Sequence, residues 1–244
     1  MQDKLVIRGA RAHNLKNIDV DEIVKPKHLV YYDGVFVGYI MECLPEGEAL
    51  CKNTEKYSFE EKIEKIKKIE EVMKKLHRKK IYICDLNLDN IFSDKNGNIR
   101  LIDCDGFVVK KNVVNDEVSL KYQDPIYKIV SDKTDLYAFA VTSLELLTDE
   151  KINNDASSLD VEKIYNKNKG KLPVSFKNYF ESIFKTKDRF YLSDSYEKYL
   201  SNMYDDTDDS SLPITKSGKI SVIILSIMIV VIAIVGYVLF KCGR

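Results

Sequence analysis

The sequence predicts an α+β protein: a small β portion, a larger and mainly helical portion, and one apolar helix near the C-terminus. Three observations predict it. Short runs rich in β-branched and aromatic residues, set between turn residues, are confined to positions up to Ile102. Two long stretches starting near Ser58 and Thr134 repeat apolar residues at helical spacing. Ile220 to Phe240 then runs without a charge, and a helix of that length reaches ~30 Å, the thickness of a bilayer core.

The elements follow in order. Residues 4–8 (KLVIR) read as a short strand. His28 to Tyr32 and Val35 to Met41 are apolar runs separated by Asp33-Gly34, a pair that signals a tight hairpin. Glu42 to Gly47 is a connector. Ser58 with Glu61 forms the reciprocal N-terminal cap of a helix. Ile63, Ile66, Ile69, Val72, Met73 and Leu76 carry that helix to about Lys79, with the intervening Lys and Glu on a solvated face. Ile81 to Ile83 and Ile99 to Ile102 read as short strands around a turn containing Asn96-Gly97. A second strong helix covers Thr134 to Leu147, and further helices are expected near 159–166, 174–185 and 193–203.

Composition narrows the function. Lys plus Arg and Asp plus Glu are 38 each, so there is no electrostatic case for nucleic acid as the main partner. Cys43, Cys51, Cys84, Cys104 and Cys242 form no CxxC pair, and His13, His28 and His77 are far apart. Neither a disulfide framework nor a zinc site is expected. No secretory signal opens the chain. A helix apolar on every side belongs in lipid, so residues 220–240 are expected to span the bilayer as a single-pass C-terminal anchor. The globular part is placed in the cytoplasm, with the lipid bilayer as one partner. Residues 204–219, rich in Asp and Ser, read as a solvated acidic linker.

The chemistry concentrates in Leu76 to Phe107, which holds Asp85, Asn90 and Asp103. The first two share one loop after a helix, and the third ends a strand across a hairpin. Three oxygen-bearing side chains brought to one cleft suit a hard cation, and an in-line phosphoryl transfer needs a carboxylate to orient the attacking hydroxyl.

This segment resembles the catalytic and metal-binding loops of protein kinases. Asp85-Leu86 followed by Asn90 matches D-L-x-x-x-N, and Leu101-Ile102-Asp103 matches the strand leading into D-F-G. Gly38 to Glu42 looks like the strand and hinge between two lobes. Asp124-Pro125 sits where A-P-E is expected, and Asp135 to Phe139 looks like the start of the central helix. The resemblance implies a kinase-like domain over 27–203, with a reduced small lobe at 27–44 and a large lobe at 45–203. It implies Asp85 as catalytic base, Asn90 and Asp103 as Mg²⁺ ligands, and the backbone of Glu42, Cys43 and Leu44 as the ATP adenine contact. Asp135 would brace the catalytic loop. The implied reaction is transfer from ATP to Ser or Thr hydroxyls of a protein substrate.

The departures shape the alternatives. The His and Arg of H-R-D are Ile83 and Cys84, the usual loop Lys is Asn87, and D-F-G reads Asp103-Cys104-Asp105 before Gly106. No G-x-G-x-x-G and no V-A-I-K precede the hinge, and those parts supply phosphate positioning and charge neutralisation. A catalytically dead pseudokinase, acting as an interaction module at the membrane, therefore stands beside the active kinase. Residues 3–20 resemble the opening of the ATPase component of excinuclease ABC, the bacterial DNA-repair nuclease. They place a foreign segment at 1–26, joined by gene fusion or sequence error, and a DNA-repair fragment is the third reading. No G-x-x-x-x-G-K-[ST] occurs to support its ATPase.

Overall fold

The structure is a computed structural model, and it describes residues 19–109 and 119–195. The strand expected over 4–8 and the linker over 204–219 lie outside the described residues, as does most of the helix expected over 193–203. In that last region the structure shows a 3-10 turn at Leu192–Asp194.

β1 (His28–Tyr32) and β2 (Val35–Ile40) form an antiparallel two-stranded sheet. Asp33 and Gly34 both take positive φ, 48° and 78°, the geometry of a two-residue turn whose twist matches the strands. A register shift falls between Val30 and Tyr31. Much of this sheet is solvent-facing: Tyr32 is 72% and Val35 65% exposed.

β3 (Gly47–Ala49), β5 (Ile91–Asp94) and β6 (Ile99–Leu101) make a three-stranded antiparallel sheet in the order β3-β5-β6. The Asn96-Gly97 turn joins β5 to β6. The sequence reading had set Ile81 to Ile83 on its other side. Instead β4 (Ile81–Tyr82) pairs with β7 (Val108–Val109) in a separate ribbon. Gly47 lies so close to β5 that a Cβ there would sit 2.4 Å from the Ser93 carbonyl oxygen, so no larger residue fits without moving backbone. Residues 22–24 extend the sheet at its other edge. Ile23 bridges Leu101 in parallel, Leu101 N–H donates to the Glu22 carbonyl (2.8 Å), and Val24 N–H donates to the Leu101 carbonyl (2.9 Å). Val20, Ile23 and Val24 are buried, so part of the expected N-terminal segment is built against β6 and into the core.

Among the described residues, four α-helices pack with these sheets. α1 (Phe59–Arg78) starts with the expected capping box, Ser58 Oγ accepting from Glu61 N–H and Glu61 accepting from Ser58 N–H. α2 (Asp132–Thr148) is buried from Thr134 to Leu147. Its apolar residues lie all round, as a core helix requires, and it packs against α1, α3 (Ser158–Asn168) and α4 (Val174–Lys185). An aromatic cluster of Tyr137, Tyr165, Tyr179, Phe180 and Phe184 fills the space between α2, α3 and α4.

The expected transmembrane helix is corrected, and with it the single-pass membrane localisation. Among the described residues no helix is long and apolar enough to cross a membrane, and residues 220–240 lie outside the described residues. α1 has 20 residues but carries Lys and Glu along its length, and α2 has 17 and buries its apolar surface against protein. The fold described is α+β without a membrane helix.

Candidate active site

The loop between β4 and β5 carries Asp85, Asn87 and Asn90. Its entry is conformationally demanding. Cys84 adopts φ of 65°, a left-handed backbone that costs a residue with a Cβ roughly 1–2 kcal/mol. The compensation comes from α2. Asp135, fully buried, accepts from Ile83 N–H (Oδ2, 2.7 Å) and Cys84 N–H (Oδ1, 3.0 Å). Two adjacent amides aimed at one carboxylate fix the turn that presents Asp85.

Past the turn, side-chain amides hold the Asp85 carboxylate. Asn87 Nδ2 donates to Oδ1 and Asn90 Nδ2 donates to Oδ2, both at 2.9 Å. Asn90 Nδ2 also reaches the Asp85 carbonyl at 3.0 Å. Asn87 serves a second purpose: its Oδ1 accepts from Asp89 N–H and Asn90 N–H and caps the 3-10 turn Leu88–Asn90. With the Asn90 amide nitrogen committed to Asp85, its Oδ1 is left as an acceptor. Ile102 N–H donates to the Asn90 carbonyl at 2.9 Å, which ties the end of β6 to this loop. Asp103 follows at once, exposed and in the left-handed region (φ 54°, ψ 56°) that aspartate tolerates.

The structure thus joins Asp85 directly to Asn90 and sets Asp103 one residue beyond a hydrogen bond to Asn90. Among the described residues no cluster of three or more His, Cys, Asp or Glu could hold a metal. The donor set expected from the sequence, Asn90 Oδ1 and the Asp103 carboxylate, is one amide oxygen and one carboxylate. That fits Mg²⁺, which keeps few protein ligands and takes the rest from water and phosphate, and does not fit a metal caged by protein alone.

The hinge residues stand elsewhere. Among the described residues, no backbone–backbone hydrogen bond engages Glu42, Cys43 or Leu44, and the Leu44 carbonyl accepts from the Cys43 thiol at 3.6 Å. The Glu42 side chain is committed to Lys27 (3.0 Å) and to Arg100 on β6. The Lys27 hydrogen bond, and then the Arg100 charge, hold its carboxyl below the usual range.

Two residues were missed by the sequence reading. His77 bridges from α1, its Nε2 at 2.9 Å from Asp135 Oδ2 and its Nδ1 at 2.9 Å from the Tyr191 hydroxyl. Its position four residues after Met73, on the buried face of α1, was the available signal. Asn87 appeared only as a missing lysine, although an Asn two residues before Asp89 is an Asx-turn signature.

Known proteins bear on this site. The model of the protein kinase domain matches residues 9–215. The chain belongs to the protein kinase family. This kinase-family chain is also similar in structure to the kinase of Cydia pomonella granulovirus, with TM-score 0.59 and 16% identity, covering 75% of this chain and 77% of that one. At that identity the likeness shows the fold. A second match is local: 77% identity over 30 residues to UvrABC system protein A of Streptococcus mutans serotype c, 12% of this chain and 3% of that protein. The chain spans so little of that relative that nothing of its activity is carried over.

Cys84 gives a pH test of how closed the kinase loop is. Burial, and then the negative charge of Asp135, push its thiol from an ordinary 9.0 up to about 12. Below 9.0 both folded and unfolded chains hold the proton. As pH rises toward about 12 the unfolded chain releases it and the folded chain keeps it, so stability falls. Unfolding free energy measured across that window should decline less in Cys84→Ala than in the parent.

Proposed function

We propose that the chain is a protein-kinase-type phosphotransferase, taking ATP with Mg²⁺ and acting on Ser or Thr hydroxyls of a protein substrate. The observation that carries this reading is the Asp85 carboxylate held on both oxygens by Asn87 and Asn90, on a loop braced by Asp135. A carboxylate so oriented, with lone pairs to spare, can accept the proton of an incoming hydroxyl. Asn90 Oδ1 and the Asp103 carboxylate would hold Mg²⁺, which when bound with ATP offsets phosphate charge. The backbone of Glu42, Cys43 and Leu44 would take the adenine edge.

A second reading, a non-catalytic interaction module, is favoured by one sequence observation: no G-x-G-x-x-G or V-A-I-K precedes the hinge. Without them phosphate positioning must come from elsewhere. The thermal midpoint of the full chain, followed with Mg·ATP, separates the readings. The phosphotransferase reading expects a saturable rise that weakens in Asp103→Asn. It also expects phosphorylation of a generic protein substrate, which Asp85→Ala abolishes. Absence of both the rise and the transfer would leave the interaction module. Turnover surviving in Asp85→Ala would remove Asp85 as base.

A further inference from the structure

The β1–β2 hairpin has one edge that nothing in its sequence protects. From His28 to Met41 the single formal charge is Asp33, in the turn. Tyr31 is 54% exposed, and Val30, Tyr32 and Val35 are exposed with it. Among the described residues the sheet holds two strands, so each strand has an open side. An open apolar edge is a template for another strand, and proteins blunt such edges with lysine, proline or a bulge. β2 has its bulge: Val30 pairs with Gly38 and Tyr31 with Phe36, which leaves Val37 as the extra residue. β1 has no lysine or proline between His28 and Tyr32, and the extra residue is not on its side.

The pattern along β1 selects what would pair with it. In a two-residue turn the flanking residues, Tyr32 and Val35, exchange peptide hydrogen bonds. Alternation along β1 then turns the N–H and C=O groups of Leu29 and Tyr31 to the open side. An antiparallel copy of β1 centred on Val30 meets those groups in kind, with Leu29 opposite the partner's Tyr31. The same register sets Val30 against the partner's Val30, His28 against the partner's Tyr32, and Lys27 against the partner's Asp33. Each pair is apolar, aromatic or of opposite charge, the combinations that stabilise neighbouring strands. Asp33 is exposed, and Lys27 is half exposed beside Glu42 at 3.0 Å. An ammonium has three donors and can serve a second carboxylate. Two-fold symmetry makes every contact off the axis occur twice. We infer that β1 is the interface of a homodimer, in which two copies join edge to edge into a four-stranded sheet in the order β2-β1-β1-β2.

Sedimentation velocity of the full chain across a concentration series tests this. A monomer–dimer equilibrium is expected. Val30→Lys sets two ammonium groups face to face on the axis and should weaken association about tenfold or more. A charge exchange is the sharper test. Lys27→Asp alone opposes two acids at each contact, and Asp33→Lys alone opposes two lysines, so each variant should dimerise poorly. Mixed together, they restore an opposite pair at both contacts, and the mixture should recover the association of the parent. Misfolding of either variant cannot produce that recovery. Association unmoved by Val30→Lys, or a mixture no better than its components, overturns the interface. A parent chain that stays monomeric also overturns it, and leaves the edge to a strand of another protein or to another segment of this chain.

Discussion

Asp135→Ala is expected to cost the folded state about 3–5 kcal/mol and, with it, the presentation of Asp85. Three buried donors converge on that carboxylate: the peptide N–H groups of Ile83 and Cys84, and His77 Nε2. Alanine removes every acceptor and leaves the donors where water does not reach. A single unsatisfied buried donor costs roughly 1–3 kcal/mol, so three exceed the effect of an ordinary point change. The penalty has a second part. Cys84 is held at positive φ by the same bonds, and without them the turn relaxes toward ordinary backbone angles and carries Asp85 with it. Asp135→Asn keeps one oxygen acceptor and places an NH₂ against a donor, so it should lose less stability yet still disturb the loop. Urea unfolding reads the first effect as a lower midpoint with an unchanged slope. Dependence on Asp85 in any transfer assay reads the second. A loss under about 1 kcal/mol in Asp135→Ala would mean that the loop is held by something other than α2.

How much of this was legible follows from how local each signal is. The Asp33-Gly34 turn and the Ser58/Glu61 cap are encoded within four residues, and both appear where the sequence put them. The Asp85–Asn90 contact spans one loop and was likewise within reach. β5 was missed because Ile91, Phe92 and Ser93 are all buried. A strand covered on both faces shows no alternation to distinguish it from a loop, so the Asn96-Gly97 turn was given the wrong partner strand. Spacing assigns the lysines of α1 to a solvated face, yet Lys62 and Lys65 are buried. Helical periodicity identifies the apolar stripe but is blind to a charge that finds a partner elsewhere, as Lys62 does with Asp149 at 2.5 Å. The placement of residues 19–24 was also hidden, since pairing with β6 joins segments far apart in the chain. The apolar stretch 220–240 lies outside the described residues, and no helix among those is long and apolar enough to cross a membrane.

Asp124→Ala is the other substitution expected to be severe, at about 3–5 kcal/mol, and its partner lies beyond any sequence signal. Arg189, after α4, meets Asp124 in a bidentate pair, Nε to Oδ2 at 2.6 Å and Nη2 to Oδ1 at 3.0 Å, with both side chains fully buried. Arg189 also donates through Nη1 to the carbonyls of Ile183, Thr186 and Asp188. Those carbonyls occupy Nη1 alone, so once Asp124 is gone the Nε and Nη2 donors lose their acceptors and the charge is left uncompensated. Asp124 in turn accepts from Ile126 N–H and Tyr127 N–H, so it shapes the segment leading into α2 as well as pairing across the lobe. The two roles separate experimentally. Asp124→Asn keeps an oxygen for the Ile126 and Tyr127 amides, loses the charge and sets an NH₂ against Arg189 Nε–H. Arg189→Met leaves a buried carboxylate without its cation. Each single change should be strongly destabilising, and the double change Asp124→Asn with Arg189→Met should be milder than their sum by about 1–3 kcal/mol. Removing both charges removes the desolvation penalty along with the attraction. Unfolding free energies from the full double-mutant cycle supply the comparison. Strict additivity would mean that the pair is two independent hydrogen-bonded ends, and that the tie between the start of α2 and the segment after α4 rests on their backbone contacts alone.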